Sequence, residues 1–223
     1  MISRFSIISR RGDLSQADFT RHWKTTHADL ARVMPGVRSY WQNHIADRLF
    51  EMSPSPLQRI DGIAQQRFDD RTALKIAEDS PEYAAVKKDI PEFQGGITIL
   101  VVSSETLQDG SIDDQSAKLL WISRLKGNLA PGWEGDWQQR LRSALEGAGA
   151  CKAISHIVVD RGRPVGASVP QGESNADAVT EFWFQSTDAL NRFVGSRPGM
   201  ALLEQDPVLE TICIYKVDVY TVV

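Results

Sequence analysis

Phe19, Trp23 and His27 stand at four-residue steps, and Leu30 follows three residues later. In a helix these side chains share one face. His27 is the leading candidate for chemistry in this chain. An imidazole changes charge near neutral pH, so it can move a proton on a small carbonyl or lactone substrate. Trp23 and Leu30 would wall it with apolar surface, which favours the neutral form and therefore a base. The same residues also suit a buried histidine bonded to a carbonyl or a nearby side chain and serving only the core.

Tyr40 and His44 are predicted on one face of a strand with Arg38 and Gln42, because strand side chains alternate. Tyr40 can donate to a substrate oxygen, or it can belong to a polar outer face. Asp61 opens the next strand. It can orient a histidine, or close the preceding turn through its own backbone. His22 and His27 are five apart, a spacing that diverges around an α-helix, and no His/Cys/Asp cluster has ligand spacing, so no metal is expected. No Gly-x-Gly-x-x-Gly or Gly-x4-Gly-Lys segment points to a nucleotide.

Beyond these residues, the chain repeats itself. Ile8-Ser9-Arg10, Phe19, Trp23 and His27 recur as Ile122-Ser123-Arg124, Trp133, Trp137 and Leu141, 114 residues on. His44-Ile45 matches His156-Ile157, Asp61 matches Asp177, and Asp89 matches Asp206. The aromatic frame survives in the second copy and the histidine does not. The echo of His44 in the copy that lacks a His27 equivalent favours a structural role for His44 and His156.

Each copy reads as βαββαβ. In the first, residues 2–10 alternate as a strand, and Ser15 caps a helix running to Met34, where Pro35-Gly36 stops it. The apolar stripe of that helix is Phe19, Trp23, Leu30, Val33 and Met34. A strand over 37–45, a loop over 46–60, a strand over 61–68, a helical region interrupted at Ser80-Pro81 and a strand over 98–104 complete the copy. Right-handed crossovers then give a four-stranded antiparallel sheet with both helices on one face. The other face must also be buried, and the second copy is the obvious cover. The expected fold class is α+β: two ferredoxin-like domains, 1–106 and 118–223, joined by a linker at 107–117 and packed as an intrachain pseudo-dimeric α/β barrel. Pairing between chains remains open, as does a homodimer of the whole.

The composition of the 223 residues, 42% hydrophobic and 24% charged with a net charge of −4, is that of a globular protein with no basic face for nucleic acid. No apolar run approaches the roughly 18 residues that span a bilayer, so a cytoplasmic location is expected. The two cysteines, Cys151 and Cys213, fall on strands expected to lie apart, which leaves both as free thiols.

The run Phe19-x3-Trp23-x3-His27-Ala28-x-Leu30, then Pro35-Gly36-x3-Tyr40-x-Gln42-Asn43-His44, resembles an EthD-type domain. Asp61-Gly62-Ile63-Ala64, Phe68-Asp69-Asp70 and Asp89-x3-Phe93 fit the same pattern. The resemblance covers nearly all of 1–106. It implies the dimeric α/β-barrel superfamily, similar to muconolactone isomerases and small polyketide cyclases and dehydratases, with a cavity beside the sheet and often no cofactor. It further implies catabolic or secondary-metabolic chemistry on a small hydrophobic or aromatic metabolite, either isomerase, dehydratase or cyclase in type or linked to oxidoreductases. His27 and Tyr40 would act there as catalytic groups, and Trp23, Leu30, His44 and Asp61 as substrate-binding ones. The alternative is a non-catalytic ligand- or haem-binding accessory to an oxygenase system.

Overall fold

The computed structural model describes all residues except 56, 128–131, 163–168, 173–174 and 205. Eight strands dominate it: β1 (Ile2–Arg10), β2 (Ser39–Glu51), β3 (Gly62–Phe68), β4 (Gln94–Asp109), β5 (Ala117–Leu125), β6 (Ala150–Arg161), β7 (Ala178–Phe184) and β8 (Leu209–Thr221). All pairings between these strands are antiparallel, and they close in the order β1-β3-β2-β8-β5-β7-β6-β4. The first half contributes the run β4-β1-β3-β2 and the second the run β8-β5-β7-β6. The two seams are β2 with β8 and β4 with β6. Closure removes every free sheet edge, which would otherwise template association.

The seams explain the strand lengths. β2 continues to Glu51, six residues beyond the expected stop at Ile45, because Asp47, Arg48, Phe50 and Glu51 pair with β8 across two register shifts. Part of the expected loop at 46–60 is therefore strand. Its pairing partner lies more than 160 residues away, so no local signal marks it. β4 likewise runs to Asp109, pairing with β6. Cys151 on β6 and Cys213 on β8 are free thiols.

Alternation sends one set of side chains inward and the other outward against the helices. Phe5, Ile7, Ile63, Leu100, Leu120, Ile122 and Val179 form an apolar lumen core. Trp23, Tyr40, Phe68 and Phe93 belong to the outer core of the first half, Trp121, Trp137 and Phe182 to that of the second. The described helices are α1 (Gln16–His22), α2 (Ala28–Arg32), α3 (Arg71–Glu78), α4 (Pro81–Asp89), α5 (Trp133–Leu145), α6 (Thr187–Val194) and α7 (Arg197–Glu204). Several starts carry a side-chain cap, among them Ser15, the cap the sequence suggests. Ser15, Asp70, Ser80 and Ser186 each accept from a backbone N–H three residues on. No described helix is long and apolar enough to cross a membrane.

One helix departs from expectation. The run expected from Ser15 to Met34 is not continuous α-helix: a π turn spans Trp23–His27 between α1 and α2. The wider turn rotates the downstream residues, so Val33, expected on the apolar stripe, is 65% exposed, while Ala28, Ala31 and Met34 take the buried positions. Leu30 is only partly buried.

Candidate functional site

The π turn also changes which histidines meet. Five-residue spacing diverges on an α-helix but aligns on a π turn, whose bonds run from i to i+5. His22 and His27 therefore reach the same carboxylate, that of Asp89 at the end of α4. His22 Nε2 lies 2.9 Å from Oδ1, and His27 Nδ1 2.9 Å from Oδ2. This overturns the expectation that the two rings diverge. An ionised carboxylate only accepts, so both ring nitrogens donate to it. Neutral His27 thus keeps its lone pair on Nε2. Phe93 packs against both imidazoles, with centroids at 5.0 Å from His22 and 4.7 Å from His27.

Burial, opposed by Asp89, lowers the His27 pKa from its ordinary 6.5, so the ring is neutral at pH 7. For Asp89, the bonds from His27 and His22 outweigh the penalty of burial and hold the carboxyl below its usual range. The pair is thus a neutral imidazole oriented by an anionic acid.

His27 opens onto a cavity between the outer sheet face and the helices of the first half. Its polar groups come from Arg4, Ser6, His27, Tyr40, Gln66 and Gln94. Aliphatic side chains and Tyr83 make up the rest. The cavity measures about 30 Å³, room for two or three waters. Tyr40 is fully packed, and its hydroxyl accepts from Trp23 Nε1 at 3.1 Å and from Gln42 Nε2 at 3.4 Å. Its own proton takes no part in these two bonds. Burial pushes its phenol up to about 12, so it stays a donor. Arg4 is buried, bonded to Gln66 and Glu78, and lies 5.0 Å over the Tyr83 ring. It places a cation near the cavity. Gln94 Oε1 is buried with no hydrogen-bond partner.

The other expected site residues lie elsewhere. Trp23 is in the core behind Tyr40, where its indole fixes the phenol. Gly62 on β3 makes room for it: a Cβ there would fall inside the Trp23 ring. Leu30 does not line the cavity. His44 packs on Trp23 at 4.6 Å and bonds Gln42 Oε1 at 3.2 Å, and burial lowers its pKa to about 4. Asp61 accepts from the backbone N–H of Arg10 and from Arg59 Nε, closing the barrel end rather than orienting a histidine. Asp89, Arg4, Gln66 and Gln94 were not legible as site residues. Asp89 was marked only by its match to Asp206 and by the Asp89-x3-Phe93 motif, neither of which gave it a role.

The second half has no such constellation among its described residues. Leu141, at the position of His27, is fully buried in the core. Asp206 accepts from the N–H groups of Val208 and Leu209 at 2.8 Å each, closing a turn. Trp137 Nε1 finds no acceptor, because the counterpart of Tyr40 is Lys152, which bonds Asp109. A larger open groove of about 570 Å³ lies at one barrel mouth beside Trp41 and Trp183, but no base held by a buried acid lines it.

Comparison with known proteins fits this architecture. A putative monooxygenase from Lactobacillus acidophilus NCFM superposes with a TM-score of 0.61 at 9% identity, over 99% of this chain and 94% of that one. An anthrone oxidase-like protein gives 0.63 at 8% identity, over 99% and 93%. A mutant chlorite dismutase from Candidatus Nitrospira defluvii gives 0.55 at 9% identity, over 97% and 91%. At such identities the likeness is one of fold. No curated protein matches the sequence. The family model described as EthD domain matches residues 11–96, which hold His22, His27, Tyr40 and Asp89. Residues 11–96 thus match an EthD domain, and they lie in a closed eight-stranded antiparallel barrel.

Proposed function

We propose that the chain is an EthD-like small-molecule enzyme with one acid–base site, in its first half. His27 Nε2 takes a proton from the carbon next to a carbonyl. Asp89 holds the ring in the tautomer that makes this possible and stabilises the imidazolium that forms. Tyr40 donates to the carbonyl oxygen as it gains charge, and the Arg4 cation favours that charge further. The enolate so formed leads to isomerisation if the proton returns elsewhere, to dehydration if a β-hydroxyl leaves, or to cyclisation if it attacks a second carbonyl. No cofactor is needed for any of these. The substrate is a small, largely apolar carbonyl compound, and its entry requires α4 to move from β4. The two halves, 1–106 and 118–223, are read as ferredoxin-like repeats joined through 107–117, the second acting as scaffold.

The observation that carries this reading is the buried His27–Asp89 pair beside the Tyr40 hydroxyl. At about 30 Å³ the cavity as it stands takes neither a porphyrin nor the proposed substrate without widening. The test needs no prior substrate: a panel of small carbonyl compounds in D2O, with deuterium uptake at carbon followed by NMR. Exchange by the wild type that His27→Ala abolishes, at unchanged folding, supports the proposal. Wild-type exchange in His27→Ala removes the base. A compound that stays bound without exchange or turnover identifies a carrier instead.

A further inference from the structure

Asp89 serves two imidazoles, and only His27 has been given a task. His22 does not line the cavity. Its side chain is 27% exposed, against 7% for His27. Its ring stacks on Phe93 at an interplanar angle of 23°, which fixes the imidazole plane. His22 Nε2 and His27 Nδ1 take different oxygens of Asp89, both at 2.9 Å. A carboxylate held by one bond can swing about its terminal torsion, which is broad and two-fold. Held at both oxygens, it cannot turn without breaking a bond.

We propose that His22 is a positioning residue: it locks the Asp89 carboxylate so that the His27 Nδ1–H stays bonded and Nε2 stays free as the cavity's base. The assignment rests on the acid–base reading of His27 and adds a second consequence. The two histidines compete for one acid, so His22 sets how basic His27 is. Loss of His22 leaves His27 as the sole imidazole on the Asp89 carboxylate and removes a group whose interaction lowers the His27 pKa. Both changes favour the His27 imidazolium. The other charged groups facing His27 are Asp89 itself and Arg4, the latter paired with Glu78.

The test is imidazole NMR on the full chain, with 15N shifts to read tautomers and titration midpoints. His22→Phe keeps the aromatic stack on Phe93 and deletes the bond to Asp89. It should raise the His27 midpoint by roughly 0.5–1 pH unit, and the His27 Nδ1–H signal should broaden or vanish as the carboxylate turns. His22→Gln keeps an uncharged donor and should preserve the Nδ1–H tautomer. An unchanged midpoint and tautomer in folded His22→Phe would overturn the assignment. If His22→Phe does not fold, a His22→Gln protein that loses the Nδ1–H tautomer overturns it equally. Neither outcome touches the deuterium-exchange test of His27, so the two readings fail separately.

Discussion

The barrel lumen holds a charged pair whose removal has a calculable signature. Lys118 Nζ lies 2.7 Å from Glu181 Oε2 and 2.8 Å from Gln65 Oε1, between the rings of Trp41 and Trp183 at 4.9 and 5.0 Å. Neither charged side chain is exposed at all. Lys118→Met leaves the Glu181 carboxylate buried without its cation. The folded protein relieves that by protonating Glu181. With an ordinary value near 4.5, that costs about 3.4 kcal/mol at pH 7. Gln65 also loses a donor, for about 1 kcal/mol. The expected loss is therefore roughly 4 kcal/mol at pH 7. Its sign with pH is opposite to the wild type's. There, the Lys118 charge holds Glu181 below its ordinary value, so the stabilisation is present above that value and lost as pH falls. In the variant the added proton becomes cheaper on acidification, so the deficit shrinks between pH 7 and pH 5. Urea unfolding at both pH values measures it, and Lys118→Met/Glu181→Met should recover most of the stability. A loss under 1 kcal/mol at pH 7, or one independent of pH, would show that the pair is not desolvated as described.

Three more outcomes are expected of the site and its supports. Deuterium exchange should be flat through neutral pH and fall on the acid side with a midpoint below 6.5, since burial lowers the His27 pKa and only the neutral ring is a base; a midpoint above 7 contradicts this. Tyr40→Phe deprives Trp23 Nε1 and Gln42 Nε2 of their shared acceptor. It should cost about 1–3 kcal/mol in a melt and slow exchange by roughly 10²-fold. Trp23→Ala removes a fully buried indole and should cost about 3–5 kcal/mol by denaturant unfolding, and a change under 1 kcal/mol would mean the outer core is held otherwise.

Much of the first half was legible because its signals are local. Ser15, Asp70 and Ser80 announce helix starts by bonding their own backbone three residues on. Alternation put Tyr40 and His44 on one face of β2. The four-residue ladder from Phe19 put His27 in the core. What local reasoning missed is the π turn, since nothing in Trp23-Lys24-Thr25-Thr26-His27 distinguishes an i to i+5 turn from an α-helix. That single change brought His22 to Asp89 and sent Val33 outward. Asp89, 62 residues from His27, needed α4 packed beside the turn.

The sequence by itself determined that each half carries four strands with helices between, and that only the first has an imidazole on the core stripe. These come from periodicity and capping, which act over a few residues. The tertiary structure alone decided that the two sheets join edge to edge, so that β2 and β4 outrun their local signals. It alone decided that one buried carboxylate lies between two histidines. Both are contacts between segments far apart in the chain, and their energy comes from burial and pairing that no short stretch of residues contains.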